Sequence, residues 1–337
     1  MRPLCDLLSR REVVGNTRKT GPLAAMNFWF RSAARLVPFA LLETALFALP
    51  ALSGAQEPTF TTAVKVVSLL VSVKNKKGEL NPDLAQTDFQ VFEDGRPETI
   101  KYFARQSDLP LTIGLLIDVS MSQEHVLDAE RSACFRFLDQ VLRPRQDKVF
   151  IVQFDSRIIT RQELTGSWKD LNDSLSSVET PSNSQLRQGI GTGTRVFDTV
   201  IQAAVMMKPL QGRKAVMILS DGDDNDSEAN LDSAIEAAVK SDMLIYSILF
   251  TDGYGGGAGQ HALEKMAFET GGAYFAVSKK LSIDQIFERI QSELRSQYNI
   301  GYVSDKAVDI PEFRKIQVKV VDKSLTAQTR TRYWATN

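Results

Sequence analysis

Apolar and polar positions change their spacing twice along the chain. Between residues 62 and 74 (TAVKVVSLLVSVK), Val67, Leu69, Val71 and Val73 recur at every second position, which predicts a strand with one buried face. A turn-rich break (KNKKGELNPD) follows. Asp88–Phe92 then reads as a second strand, Glu93-Asp94-Gly95 as a turn and Thr99–Arg105 as a third strand. Residues 60–108 are therefore expected to be all-β. At Leu109 the pattern changes. Thr112–Val119 (TIGLLIDV) is almost continuously apolar, as a strand covered on both faces in a parallel sheet must be. Glu124–Leu142 next places Leu127, Ala133, Cys134, Phe137, Leu138 and Val141 at helical spacing. Further apolar strands are predicted at Val149–Phe154, Ala215–Ser220, Leu244–Phe250 and Ala273–Val277. They alternate with helices at Trp168–Val178, Val196–Met207, Leu231–Ser241, Gln260–Thr270 and Ser282–Ser296, and a Ser/Gly/Thr-rich loop covers Thr180–Arg195. Such alternation predicts an α/β fold with a doubly wound, mostly parallel sheet.

From Tyr298 the spacing returns to two. Tyr298–Val303 is strand-like, and Phe313–Val321 sets Ile316, Val318 and Val320 against Lys315, Gln317 and Lys319. Gln328–Trp334 is the expected hairpin partner across Asp322–Leu325. Neither terminal β segment has enough strands to bury a sheet alone. Both are expected to fold together into a small β domain, with the α/β domain inserted between them.

The first 55 residues read as an address. Arg31 and Arg35 precede an apolar stretch from Leu36 to Leu49, and Ser53 and Ala55 supply the small residues of a signal-peptide cleavage site after Ala55. Pro38 and Glu43 interrupt that stretch, and a buried amphipathic helix is the competing reading. The stretch falls short of the roughly 20 apolar residues of a membrane span, so no stable span is expected after cleavage. Residues 1–25 look like an overlong start, with Met26 the expected initiator. The expected organisation is thus a leader (1–55), a β segment (56–108), the α/β domain (109–297) and a second β segment (298–337). The chain is expected to be secreted or to reside in the periplasm or cell envelope.

Composition narrows the chemistry. The chain has 337 residues and is 43% hydrophobic and 24% charged, which is ordinary for a globular protein. Its formal charge is −1, and it falls to −5 without the leader, which carries seven Lys and Arg against three Asp and Glu. A basic nucleic-acid binder is excluded. Two cysteines exclude a disulfide scaffold; Cys5 leaves with the leader, and Cys134 sits in a helical pattern as a buried structural thiol. Two histidines, His125 and His261, exclude a three-His metal site and an HExxH protease and leave little for a hydrolytic triad.

Ligands of open α/β sheets bind beyond the carboxyl ends of the strands, and three such loops carry oxygen donors. The first apolar strand ends Asp118-Val119-Ser120-Met121-Ser122. The loop before helix Val196–Met207 contains Gly193, Thr194 and, just beyond it, Asp198. Another strand ends Ser220-Asp221-Gly222-Asp223. Carboxylates and hydroxyls without His or Cys suit a hard cation such as Mg²⁺, with Mn²⁺ or Ca²⁺ as alternatives. Two carboxylates would balance the ion's charge, and three hydroxyls would coordinate it while leaving it electrophilic towards an outside acidic group. Each piece has a plainer reading: Ser120 and Ser122 as helix caps, Ser-Asp-Gly as a turn, and Asp223, Asp224 and Asp226 as a solvated acidic loop. Asp118 could also be an aspartyl nucleophile, but Ser120 stands where such phosphatases carry a second aspartate. The glycines of Gly253–Gly259 (GYGGGAG) follow a strand, yet they open the fifth βα unit and no acidic residue ends the next strand. That segment reads as a surface loop rather than a dinucleotide site.

Together these residues resemble the metal-ion-dependent adhesion site of the von Willebrand factor A (VWA) family. Asp118, Ser120 and Ser122 match its DxSxS motif, Thr194 its threonine and Asp221 its TDG-type aspartate, with Ser220 where many members have threonine. GTRVFDTV is similar to its GGTPLYDAL pattern, in which Asp198 matches a buried aspartate; Gly193 and Gly222 support the two loops. The resemblance covers Leu109 to Ser296. The flanks (FQVFEDGRPETIKYFARQ and FRKIQVKVV…RYWA) look like those of a bacterial VWFA-related group typical of Acidobacteria. By that resemblance Ser120, Ser122 and Thr194 would contact the ion, with Asp118 and Asp221 acting mostly through water. The expected function is a non-enzymatic, exported adhesion module that captures an Asp or Glu carboxylate of a partner protein. A metal-dependent phosphohydrolase using Asp118 and an inert structural module of an envelope assembly are the alternatives.

Overall fold

A computed structural model describes residues 66–105, 109–250, 257–307 and 310–336; the leader and most of the Gly253–Gly259 loop lie outside the described residues. The element order follows the changes in spacing. First come β1 (Val66–Asn75), β2 (Phe89–Glu93), β3 (Arg96–Glu98) and β4 (Ile100–Arg105). The α/β part contains β5 (Leu111–Asp118), α1 (Leu127–Val141), β6 (Lys148–Phe154), β7 (Ile158–Thr165), α2 (Trp168–Ser176), α3 (Asn183–Leu186), α4 (Val196–Met207), β8 (Arg213–Ser220), α5 (Leu231–Lys240), β9 (Met243–Leu249), α6 (Ala258–Thr270), β10 (Tyr274–Ala276) and α7 (Ile283–Ser296). The chain closes with β11 (Tyr298–Val303), β12 (Glu312–Val320), β13 (Leu325–Gln328) and β14 (Arg332–Ala335).

The central sheet has the order β10-β9-β8-β5-β6-β7, parallel throughout except for the antiparallel edge strand β7. Every residue of β5, β8 and β9 is buried, which explains why these strands read as continuous apolar runs rather than alternations. On one face Ile113, Leu115 and Ile117 pack with Phe137 and Leu138 of α1, Leu171 and Leu175 of α2, and Phe287 and Ile290 of α7. On the other, Leu116, Phe150 and Val216 pack with Val200 and Met207 of α4, Ile235 of α5 and Met266 of α6. The chain leaves β5 towards β6 on one side and later crosses to β8 on the other. The strand order therefore reverses between β5 and β8, and their carboxyl ends flank the crevice where open α/β sheets take ligands.

The terminal segments interleave in two antiparallel four-stranded sheets, β13-β1-β11-β4 and β14-β12-β2-β3. Val67, Leu69, Val71 and Val73 form the buried face of β1, as their spacing predicts. They meet Phe89 and Val91 of β2, Tyr298, Ile300 and Tyr302 of β11, and Ile316 and Val318 of β12 in a third core. Asp94 and Gly95 both have positive φ, the backbone of a tight two-residue hairpin between β2 and β3. No helix among the described residues is long and apolar enough to cross a membrane.

Two local expectations are corrected, and one strand is added. The Gln328–Trp334 hairpin partner is split: Leu325–Gln328 crosses to pair with β1, and only Arg332–Ala335 pairs with β12. Strand β7 has no counterpart in the sequence reading: its half-buried residues show no alternation, and its pairing with β6 is irregular. The Thr180–Arg195 loop contains the short helix α3, opened by a capping box from Ser182 and Gln185.

Candidate metal centre

Strand β5 delivers Asp118 to the crevice, where its side chain is 0% exposed. One carboxylate oxygen accepts from the Ser120 backbone N–H at 2.9 Å, and the other accepts from the Ser220 hydroxyl at the end of β8, 2.5 Å away. Ser220 also accepts from the Gly222 N–H at 2.9 Å, so one hydroxyl orients both Asp118 and the turn that carries Asp221. The Ser120 and Ser122 hydroxyls lie 3.0 Å apart. Neither serine caps a helix: the 3₁₀ turn Met121–Gln123 has no side-chain cap, and Val126 stands at the N-cap of α1, also without a cap bond. The capping alternative is thereby corrected, and the two hydroxyls remain directed at each other. The Gln123 amide donates to Asp221 at 3.0 Å and lies 3.5 Å from the Ser122 hydroxyl, joining the β5 loop to the β8 loop.

Thr194 enters from the third loop. It is buried, and its backbone is bound on both sides: its N–H donates to the Asn225 side chain at 2.9 Å, and its carbonyl accepts from Asn225 and Asp226 N–H groups at 3.2 Å. The loop after β8 thus holds Thr194 in place, while the Thr194 hydroxyl makes no hydrogen bond among the described residues. Asp198 does not join the cluster. Its carboxylate accepts from the Glu228 and Ala229 N–H groups, both at 3.0 Å, and so fastens that loop to the start of α4. Asp224 and Asp226 act similarly, the first accepting from the Phe197 N–H and the Ser227 hydroxyl, the second pairing with Arg195 at 3.0 Å. Gly222 has φ +82°, and a Cβ there would stand 2.5 Å from the Gly259 carbonyl oxygen; at Gly193 it would stand 2.8 Å from the Asp226 side chain.

The family model of the von Willebrand factor type A domain matches residues 112–289, which includes all three loops. The chain belongs to the VWA family. No curated protein sequence matches it. Among solved structures, the VWA fold brings likeness to an aerotolerance-related membrane protein of Bacteroides fragilis carrying multiple mutations to serines (18% identity, TM-score 0.43, covering 56% of this chain and 98% of that one). BatB of Bacteroides thetaiotaomicron is similar at 17% identity and TM-score 0.42, over 56% of this chain and 97% of that one. Proximal thread matrix protein 1 of the mussel byssus, with a zinc-occupied MIDAS motif, is similar at 18% identity and TM-score 0.46, over 61% of this chain and 50% of that one.

The donors of the VWA crevice fit a hard divalent cation. Neither Asp118 nor Asp221 takes part in an ion pair among the described residues, in which no three His, Cys, Asp or Glu side chains form a metal-binding group. Burial pushes the Asp118 carboxyl up to about 7; the Ser120 and Ser220 hydrogen bonds pull it back, and the charge of Asp221 raises it further. A cation beside it is what would keep it ionised at neutral pH. Sequence reading had not given Gln123, Ser220 or Asn225 a role. Ser220 stands next to Asp221 and could have been inferred, whereas Gln123 and Asn225 act through loop-to-loop contacts that no spacing reveals. His125 is exposed beside the cluster and His261 is exposed on α6, and neither bonds to these residues.

Proposed function

We propose that the VWA domain holds a divalent cation, Mg²⁺ in the first instance, and uses it to bind an acidic side chain of a partner protein. Ser120, Ser122 and Thr194 would supply hydroxyl oxygens, and Asp118 and Asp221 the negative charge. A cation so held supplies an electrophilic position for an outside carboxylate. The observation carrying this reading is the meeting of two carboxylates without ion-pair partners and the Ser120–Ser122 hydroxyl pair at the switch point of a VWA sheet. Ser220 holds Asp118 in orientation, Gln123 steadies Asp221, and Asp198 fastens the loop that supports Thr194. Because neutral hydroxyls rather than the two carboxylates would contact the ion directly, it would stay electrophilic towards an incoming anion. Export to the cell envelope is part of the same proposal and rests on the leader sequence.

Thermal unfolding of the chelated protein, with Mg²⁺, Mn²⁺ or Ca²⁺ restored, tests the site. At a hundredfold excess over Kd the ion should stabilise the fold by about 2.7 kcal/mol, and an Asp118→Ala/Ser120→Ala variant should show no shift. Binding to Asp- and Glu-bearing peptides should then require the ion and be abolished by chelator. A midpoint shift without metal-dependent peptide binding would favour the inert structural module instead. No shift for any ion would remove the proposal.

A further inference from the structure

A cavity of about 690 Å³ lies between the VWA sheet and the terminal sheets. It stands at the amino ends of the central strands: Lys214 is the second residue of β8 and Met243 the first of β9. The metal centre stands at the opposite, carboxyl ends of β5 and β8. Across the cavity the wall comes from β1 and the connection between β13 and β14. The volume is that of a small-molecule site.

Charge on these walls is one-sided. Lys208, Arg213, Lys214, Lys240 and Arg330 line the cavity, with Asp242 as the one carboxylate among its lining residues. Three of the cations are engaged. Arg213 donates to the Leu294 and Leu109 carbonyls, and Lys240 pairs with Glu236 and covers the Trp334 ring. Arg330 pairs with Asp242 and donates to the Ser68 carbonyl. Lys208, which is exposed, and Lys214 take part in no ion pair among the described residues. Lys214 is only 6% exposed, and its ammonium donates to the Leu210 carbonyl alone, at 3.2 Å, so two of its three donors lack an acceptor among the described residues. The Arg330 Nε–H and the Thr329 hydroxyl, on the same walls, are also buried without hydrogen-bond partners among the described residues. Buried donors are ordinarily satisfied, and a buried cation is ordinarily paired. Burial lowers the Lys214 ammonium below its ordinary range; the charge of Asp242 offsets part of this, and that of Arg330 adds to it. Packing gives no reason for a cation here, since Ala215, Val216, Met217 and Ile218 follow on β8.

We propose that this cavity binds a small organic phosphate monoester, with its phosphate on Lys214 and Lys208 and its apolar body against Leu70, Val239 and Met243. Two ammonium groups without carboxylate partners match a group that carries close to two negative charges. A carboxylate would neutralise only one of them. The Arg330 Nε–H and Thr329 hydroxyl supply further donors to the phosphate oxygens.

The test is calorimetric titration of the metal-stripped protein, dialysed free of chelator, with phenyl phosphate, inorganic phosphate and benzoate. Removing the metal keeps these anions from being captured at the other end of the sheet. Phenyl phosphate should bind with 1:1 stoichiometry, and benzoate and inorganic phosphate at least tenfold more weakly. Lys214→Met and Lys208→Ala should each weaken phenyl phosphate at least fivefold. Absence of saturable phenyl phosphate binding overturns the proposal, as does benzoate binding equally well. Equal affinity for inorganic phosphate overturns the assignment of an organic ligand. Unchanged affinity in both variants places the anion elsewhere and also overturns the proposal. If Lys214→Met does not fold, unchanged affinity in Lys208→Ala, an exposed position, decides against it in the same way.

Discussion

At the scale of single residues, burial and pairing decide what a charge does. Arg314 is 0% exposed, yet it is fully engaged: it bonds Glu93 at 3.1 Å, the Ser304 hydroxyl at 3.0 Å and the carbonyls of Lys306 and Ala307. Glu93 also accepts from the Tyr302, Ser304 and Tyr333 hydroxyls at 2.7, 2.7 and 3.0 Å. This network joins β2, β11, β12 and β14 inside the terminal β sheets. Arg314→Met should destabilise the protein by roughly 3–5 kcal/mol, because it strands the Glu93 carboxylate. Adding Glu93→Leu should recover part of that loss, so a double-mutant cycle by urea unfolding checks the coupling; additive losses would refute it. Glu130 of α1 is the contrasting case, buried without hydrogen-bond partners among the described residues. Sequence spacing placed Asp118, Ser120, Ser122, Thr194 and Asp221 at loop starts and strand ends. It could not separate Arg314, Glu93 or Glu130 from surface charges, because burial of a charged side chain depends on what packs over it.

Individual elements show how strand ends are held. Asp147, just before β6, accepts from the Leu111 N–H at 3.0 Å and from the Arg143 guanidinium at 2.8 Å, tying the start of β5 to the end of α1. Burial pushes its carboxyl up, but the bonds from Arg143 and Leu111 more than offset this and leave it below the ordinary carboxylate range. The folded form therefore prefers the ionised acid. Its contribution is complete above the unfolded-state pKa of about 3.9 and is lost as pH falls through the lower folded value. Asp147→Asn should lower the unfolding midpoint at pH 7 and flatten the decline of stability below pH 4; equal acid slopes in variant and wild type would contradict this. Most elements were legible from spacing, α4 to the residue. The exceptions were β7, an edge strand with no alternation although it pairs with the preceding β6; β13, a short edge strand whose partner β1 lies far away in the chain; and the short β3 and α3.

On the scale of the whole molecule, the VWA domain runs directly into the terminal sheets at its carboxyl end. Helix α7 ends at Ser296 and β11 begins at Tyr298; Lys74 of β1 pairs with the buried Glu293 of α7 at 2.6 Å, and Arg213 of β8 donates to the Leu294 carbonyl. Strand β1 takes its two partners, β11 and β13, from the far end of the chain. Calorimetry should accordingly show one cooperative unfolding transition for this unit, and truncation after Ser296 should leave an aggregating chain with β1 and β4 unpaired. Two resolved transitions would show that the terminal sheets unfold by themselves.

By itself the sequence determined the fold class, the order of its elements and which side chains face the cores, because helical and strand spacing are local and each apolar face must be covered by something. The DxSxS, threonine and aspartate positions were legible for the same reason, each belonging to one short loop. Tertiary structure alone decided that Ser220 would orient Asp118, that Gln123 would join two loops, that Asp198 would hold a neighbouring loop rather than the cluster, and that Glu130 would be buried without a partner. Those outcomes depend on residues brought together from distant segments, and local spacing carries no record of which ones meet.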